Sequence, residues 1–132
     1  MAGTRPKLIV VEDNKTDCFI IERVIRGYEP SAEVVIYSEP QKALQHLREK
    51  PAAVSAVNEN LIILLDLQMP GVDGWQFLEE FEKLPVSVRK PYRLYILTSS
   101  ISPLDKIRAE GFESVIQYFN KPLTASKLNL IL

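Results

Sequence analysis

Four short stretches carry side chains that could do chemistry together. Glu12 and Asp13 directly follow the apolar run Lys7–Val11, and Asp66 directly follows the still more apolar run Leu61–Leu65. Thr98 and Ser99 close a third apolar run, and Lys121 stands just past a fourth, Gln117–Phe119. Three carboxylates brought to one place repel one another and raise each other's pKa unless a cation sits among them. Oxygen ligands from only two or three side chains suit Mg²⁺, or Mn²⁺ in its place, which keeps several waters and shares its remaining positions with phosphate. A carboxylate can itself be a nucleophile and form an acyl phosphate. Phosphoryl transfer then needs little beyond alignment and neutralisation of charge on the equatorial oxygens. A cation, the Lys121 ammonium, and the Thr98 hydroxyl with nearby backbone N–H groups could each serve one of those oxygens.

For these residues to meet, the apolar runs must be neighbouring strands. Lys7–Val11, Glu33–Tyr37, Leu61–Asp66, Arg93–Leu97 and Gln117–Phe119 all read as short strands rich in branched and aromatic residues. Between them lie helical patterns. The first runs over 14–28 with Ile21, Val24, Ile25 and Tyr28 on one face, opened by Asn14 and Asp17 as a capping pair and ended at Gly27 and Pro30. The second starts at Ser38 with Gln41, extends to about Arg48, and turns Ala43, Leu44 and Leu47 inward. In the third, Asp73 with Gln76 caps a helix carrying Trp75, Phe77, Leu78 and Phe81. The fourth begins at Ser102-Pro103-Leu104-Asp105, and the last covers Thr124–Leu132. Five strands alternating with five helices build an α/β fold, a parallel sheet covered on both faces. Such strands are buried on both sides, as these apolar runs require. Ligands of such sheets bind at the carboxyl ends of the strands, where Glu12, Asp13, Asp66, Thr98 and Lys121 all fall.

In order and spacing, VVEDN at 10–14, LLDLQMPGVDG at 64–74, LTSS at 97–100 and YFNKP at 118–122 resemble the receiver domain of bacterial two-component response regulators, across nearly the whole chain. The resemblance implies a flavodoxin-like, doubly wound five-stranded sheet of order 2-1-3-4-5 with five helices, forming one receiver domain over 1–132. It implies phosphorelay signalling: Mg²⁺-dependent acceptance of a phosphoryl group on Asp66 from a sensor histidine kinase or a histidine phosphotransfer protein. Such a chain is not an enzyme toward an outside substrate but a phosphoacceptor that catalyses its own phosphorylation and dephosphorylation. By the same resemblance Asp13 and Asp66 bind the metal directly, Glu12 acts mainly through metal-bound water, and the backbone carbonyl of Gln68 adds a ligand. Thr98 is the switch hydroxyl, Tyr118 the aromatic whose rotamer turns inward with it, and Lys121 the cation of the site. The Lys121–Pro122 peptide is expected to be cis. The shift is expected to reach the fourth helix, fifth strand and fifth helix, a face open to a partner or a second copy. Gln68 stands where many members carry Asn, and with Ser100 it is expected to tune dephosphorylation. The long 49–60 connection and LTSS resemble stand-alone receivers, including the chemotaxis type and partners of phytochrome kinases.

Bulk properties fit this reading. The chain of 132 residues is 46% apolar and 25% charged, with a formal net charge of -1, the balance of an ordinary globular domain. There is no basic excess for nucleic acid or anionic lipid. The polar opening Met1–Lys7 does not read as a signal peptide, and Leu61–Leu65 is far too short to span a bilayer, so a cytoplasmic protein is expected. The single cysteine, Cys18, makes no disulfide framework and carries no redox duty. Gly71 and Gly74 read as turn residues with unusual dihedrals, Trp75 as packing, and His46 as a surface residue without a role. A phosphatase of the haloacid dehalogenase type also uses a strand-end Asp with Mg²⁺, but wants an acid two residues on, where Gln68 and Lys15 stand. No phosphate-binding loop of the G-x-x-x-x-G-K-[ST] kind occurs. A receiver-like interaction module with a dead site would lack key residues that this chain keeps.

Overall fold

The computed structural model describes residues 5–52, 60–69 and 72–132, with Val72 and Asp73 described in backbone only. The elements follow in the order β1 (Lys7–Val11), α1 (Lys15–Tyr28), β2 (Glu33–Tyr37), α2 (Pro40–Glu49), β3 (Leu61–Leu65), β4 (Gln68–Met69), β5 (Val72–Asp73), α3 (Gly74–Glu82), α4 (Val86–Arg89), β6 (Tyr92–Thr98), α5 (Pro103–Glu110), β7 (Val115–Asn120) and α6 (Ala125–Ile131). β2-β1-β3-β6-β7 form one five-stranded sheet, and every pairing in it is parallel. This is the expected 2-1-3-4-5 order. β4 and β5 add a two-residue antiparallel ladder, Gln68 opposite Asp73 and Met69 opposite Val72.

Alternation along the strands divides the core in two. Ile9, Val11, Ile63, Leu65, Leu94 and Ile96 face Ala43, Leu44 and Leu47 of α2 and Phe77, Leu78 and Phe81 of α3. Leu8, Val10, Ile62, Leu64, Tyr95 and Leu97 face Ile21 and Ile25 of α1 and Leu128 and Ile131 of α6. β3 is buried at every position, as a central strand with helices on both faces must be. Phe77 and Phe81, one helical turn apart, stack with centroids 6.0 Å apart, and truncating such a buried ring costs about 3–5 kcal/mol. No helix among the described residues is long and apolar enough to cross a membrane.

Several local expectations are corrected. Among the described residues there are six helices, not five: α4 is a single turn closed by Val88 and Arg89 N–H groups on the Pro85 carbonyl. One turn shows no apolar period, so pattern reading passes over it. α2 is not capped by Ser38; its N-cap is Glu39, without a side-chain cap bond, and Pro40 opens the helix with φ already set. Asn14 does cap α1, accepting from Asp17 N–H at 2.9 Å, but the Asp17 carboxylate does not return the bond. The Asn14 N–H instead donates to Glu12 Oε2 at 3.1 Å, and Asp17 is engaged elsewhere. Ser102 and Thr124 cap α5 and α6 through Asp105 N–H and Lys127 N–H, each such cap being worth about 1 kcal/mol. The expected Asp73 cap, the Gly71 turn and residues 53–59 of the long connection lie outside the described residues.

His46 also departs from expectation. It is half-buried, and the Tyr37 hydroxyl lies 2.6 Å from its Nδ1, so a neutral ring protonated on Nε2 accepts a bond from the end of β2. The rings meet edge to face at 5.7 Å. Burial pushes the imidazole pKa down, the charges of Lys7 and Lys50 push it further, and Glu33 opposes them. A folded-state pKa below the unfolded one means that acid favours the unfolded chain. The contribution is complete above the ordinary imidazole range and is lost as pH falls through it. The stability difference between wild type and His46→Gln, measured by urea unfolding, should therefore move against the wild type from about pH 7.5 to about pH 5.5. A difference that does not change with pH overturns this assignment.

Candidate functional site

Parallel register brings the strand ends to one edge. Val11 pairs with Tyr37 and with Leu65, Leu65 with Ile96, and Thr98 with Asn120. Backbone bonds carry the register one residue further: Glu12 N–H to Tyr37 O, Asp66 N–H to Val11 O and Lys121 N–H to Thr98 O. The first residues beyond the strands are thus fixed by the ladder itself, and they are the acids and the lysine.

At the centre stands the Lys121 ammonium. Its Nζ lies 2.6 Å from Glu12 Oε1, 2.7 Å from Asp17 Oδ2 and 2.9 Å from Asp66 Oδ2. Glu12 is 1% and Asp66 3% exposed, so both carboxylates have left water almost completely. Burial pushes the Glu12 carboxyl up to about 7; the Lys121 bond lowers it, and the charge of Asp66 raises it again. Burial alone would lower the Lys121 pKa, but the bonds to Asp17, Glu12 and Asp66 outweigh it and hold the ammonium charged. The remaining Asp66 oxygen, Oδ1, accepts from Gln68 N–H at 3.0 Å. Asp13 is half-buried and stands outside this ion-pair group. Cys18 donates from Sγ to Glu12 O, and burial with the charges of Glu12 and Asp17 raises its pKa, the setting of an unreactive thiol.

The donor set fits a divalent cation in type. Glu12 Oε1 is buried and has no aligned hydrogen bond, only the ammonium within ion-pair distance. Among the described residues, however, no three Asp, Glu, His or Cys side chains are already arranged around a common metal position. The ammonium of Lys121 holds the space between Glu12 and Asp66 instead.

The rest of the edge is a hydrogen-bonded loop. Thr98 is fully buried, and its Oγ1 accepts from Ser100 N–H at 3.3 Å, turned to its own loop. Ser100 Oγ donates to Asp105 of α5 at 2.6 Å, and Ser100 O accepts from Tyr118 at 3.2 Å and from the Asn120 amide. Tyr118 is 9% exposed. The Ser99 hydroxyl donates to Gln68 Oε1 at 2.9 Å, both being exposed. The Lys121–Pro122 peptide is cis.

Sequence reasoning missed Asp17 and misread Gly74. Asp17 lies in the first turn of α1, which begins just past the strand-end acids, and that position was the available signal. Gly74 opens α3 with no left-handed φ. What it needs is space: a Cβ there would lie 2.6 Å from Asp66 O and 2.9 Å from Leu67 Cα, both backbone. Trp75 beside it lies under Arg108 of α5, the guanidinium carbon 4.0 Å from the ring centroid.

An α/β sheet with a buried aspartate, further acids, a lysine and a hydroxyl at its carboxyl edge has these groups where ligands of such sheets bind. The family model described as response regulator receiver domain matches residues 8–132. The chain belongs to that family. It is 32% identical over 103 residues to response regulator Rcp1 of Synechocystis, covering 77% of this chain and 68% of Rcp1. The crystal structure of a response regulator receiver protein from Dyadobacter fermentans superposes with a TM-score of 0.82 at 32% identity, covering 96% of this chain and 94% of that one. The phosphorylated cyanobacterial phytochrome response regulator RcpA superposes with a TM-score of 0.72 at 28% identity, covering 96% and 88%. Another curated relative, a transcriptional regulatory protein of Klebsiella oxytoca, is much longer, and the chain spans only 26% of it.

Gly74→Ala must push either α3 or the Asp66–Leu67 backbone aside, which typically costs about 1–3 kcal/mol. Gly27→Ala, in α1 with nothing within 4 Å of the added carbon, should be neutral or stabilising by up to about 1 kcal/mol. Urea unfolding of both variants tests the pair; equal stabilities would remove the argument for a close approach at Gly74.

Proposed function

We propose that the chain acts as one receiver unit that accepts a phosphoryl group on Asp66 from the phosphohistidine of a sensor histidine kinase or a histidine phosphotransfer protein. The observation that carries the reading is the position of Asp66: 3% exposed, at the carboxyl end of the central strand, with Lys121 Nζ at 2.9 Å. The Asp66 carboxylate attacks phosphorus in line, the P–N bond to the donor imidazole breaks, and an acyl phosphate forms as the imidazole leaves. Hydrolysis reverses the modification: water attacks phosphorus and the Asp66 carboxylate leaves as inorganic phosphate is released. A divalent cation, Mg²⁺ or Mn²⁺, held by Asp13, Asp66 and the Gln68 carbonyl with Glu12 nearby, would supply neutralisation of charge on the phosphoryl oxygens. Lys121 orients a second oxygen, and the Thr98 hydroxyl turns from Ser100 N–H to a third. RcpA, known in a phosphorylated form, supports the acceptor role by similarity.

The acyl phosphate carries roughly -1.5 to -2 charge units where the carboxylate carried one, and places them further out on this edge. Thr98 and Ser100 connect to Tyr118 of β7 and to Asp105 of α5, so their rearrangement reaches that face. Ile101, Leu104, Ile107 and Ile116 are exposed there, which supports its use against a protein partner or a second copy. The net charge of -1 gives no support to direct nucleic-acid binding.

Intact-mass spectrometry after incubation with acetyl phosphate tests the reading. The wild type should gain one phosphoryl group only with Mg²⁺ present, and Asp66→Asn should gain none at that site. A gain of equal rate on Asp66→Asn, or no gain from either acetyl phosphate or a phosphohistidine donor, would overturn it.

A further inference from the structure

Lys121 has three N–H donors, and three carboxylates surround it within 2.9 Å. None of its donors is free for a phosphoryl oxygen. Two of the three partners, Glu12 and Asp66, are almost fully buried at the ends of β1 and β3. The third, Asp17, rises from the first turn of α1, and its side chain is 34% exposed. Its backbone N–H is held by the Asn14 cap, and its carboxylate, not used as a cap, accepts from Lys121.

Resting on the phosphoacceptor reading above, we propose that Asp17 is a positioning residue that anchors the Lys121 ammonium beside Asp66 while its other partners change. Asp66 would hold a divalent cation and Glu12 would face its water, so both carboxylates would be drawn from the lysine when a cation is bound. An ammonium with no further partner would then either block the cation or swing away into solvent. Asp17 provides a place that is neither: Lys121 leaves Glu12 and Asp66, keeps Asp17, and turns its two released N–H donors to the incoming phosphoryl oxygens. The lysine stem is 13% exposed, so the move is a rotation of the head group and not an excursion of the side chain. A helix-capping acid would have no reason to reach a residue 104 positions away.

Two consequences separate positioning from a mere contribution of charge. Without Asp17 the ammonium settles on Glu12 and Asp66 more firmly, so more Mg²⁺ is needed to displace it. And the ammonium loses its fixed direction once the cation has entered.

The experiment compares wild type, Asp17→Asn and Asp17→Glu, with circular dichroism and thermal unfolding to show that each is folded. Mg²⁺ is titrated without phosphodonor, and the Lys121 side-chain Nζ and Cε resonances are followed by NMR. Phosphorylation by acetyl phosphate is then timed at saturating Mg²⁺. Asp17→Asn should raise the half-saturating Mg²⁺ concentration, shift and broaden the Lys121 resonances in the Mg²⁺-loaded protein, and slow phosphorylation by roughly 3- to 10-fold, the scale of a modest misplacement. Asp17→Glu should restore most of each. If Asp17→Asn leaves the Lys121 resonances and the rate unchanged, or lowers Mg²⁺ affinity while the resonances stay as in the wild type, the anchor is overturned. If the wild type itself takes no phosphoryl group, the phosphoacceptor reading fails, and the Mg²⁺ titration with the Lys121 resonances still decides the inference.

Discussion

A single ammonium holds the carboxyl edge of this sheet together. Glu12 and Asp66 are fixed by the strand ladder in positions where water hardly reaches them, and two carboxylates so placed repel. Lys121 makes the arrangement tolerable, and removing one partner of such a buried pair generally costs about 3–5 kcal/mol. The strand that carries it is accordingly well secured. The Lys121 N–H bonds Thr98 O, the Asn120 amide reaches Ser100 O, and Lys127 Nζ donates to Asn120 O and Pro122 O. The path of the chain after β7 is thus set by the need to deliver one positive charge to two negative ones.

The same constraint explains which parts of the edge can respond. The strands cannot shift without breaking the parallel register and both apolar layers, and packed layers have discrete rather than graded alternatives. Gly74 lies so close to Asp66 O that α3 has no room to advance. What remains free to change are a long side chain, Lys121, and the Thr98–Ser100 loop. Ser100 is the junction of that loop, bonded at once to Thr98, Asp105, Tyr118 and Asn120. On the proposed reading, a change of charge at Asp66 would leave the edge toward α5 and β7, where apolar side chains are exposed.

Most of this was legible in the sequence because parallel strands announce themselves. Runs such as KLIVV and LIILL have nowhere to go but the middle of a sheet, and the residue following each run must stand at its carboxyl end. Glu12, Asp66, Thr98 and Lys121 could be brought together on that ground alone. The readings that failed depended on tertiary approach, which spacing does not encode. Asp17 looked like half of a capping pair because Asn14 lies three residues before it; only the fold shows Lys121 within reach. His46 looked exposed on the polar side of α2 until β2 placed the Tyr37 hydroxyl against it. Gly74 suggested a turn, whereas its role is to let a helix start against the backbone of Asp66.

Two of these readings share a direction: Asp17 was assigned to its own helix and His46 to the surface, and each has a partner on another element. For the site this matters physically. A capping acid acts on its own helix, but Asp17 acts on a strand end 104 residues away and so ties α1 to β7 through Lys121. The two layers of helices are then not independent. α1 and α6 pack on one face of the sheet, α2 and α3 on the other, and the charged edge is where both faces meet. On the proposed reading, a ligand that redistributes the partners of Lys121 would act on α1 through Asp17, on β3 through Asp66 and on β1 through Glu12 at once, which would let a fold with rigid strands register a single added negative charge.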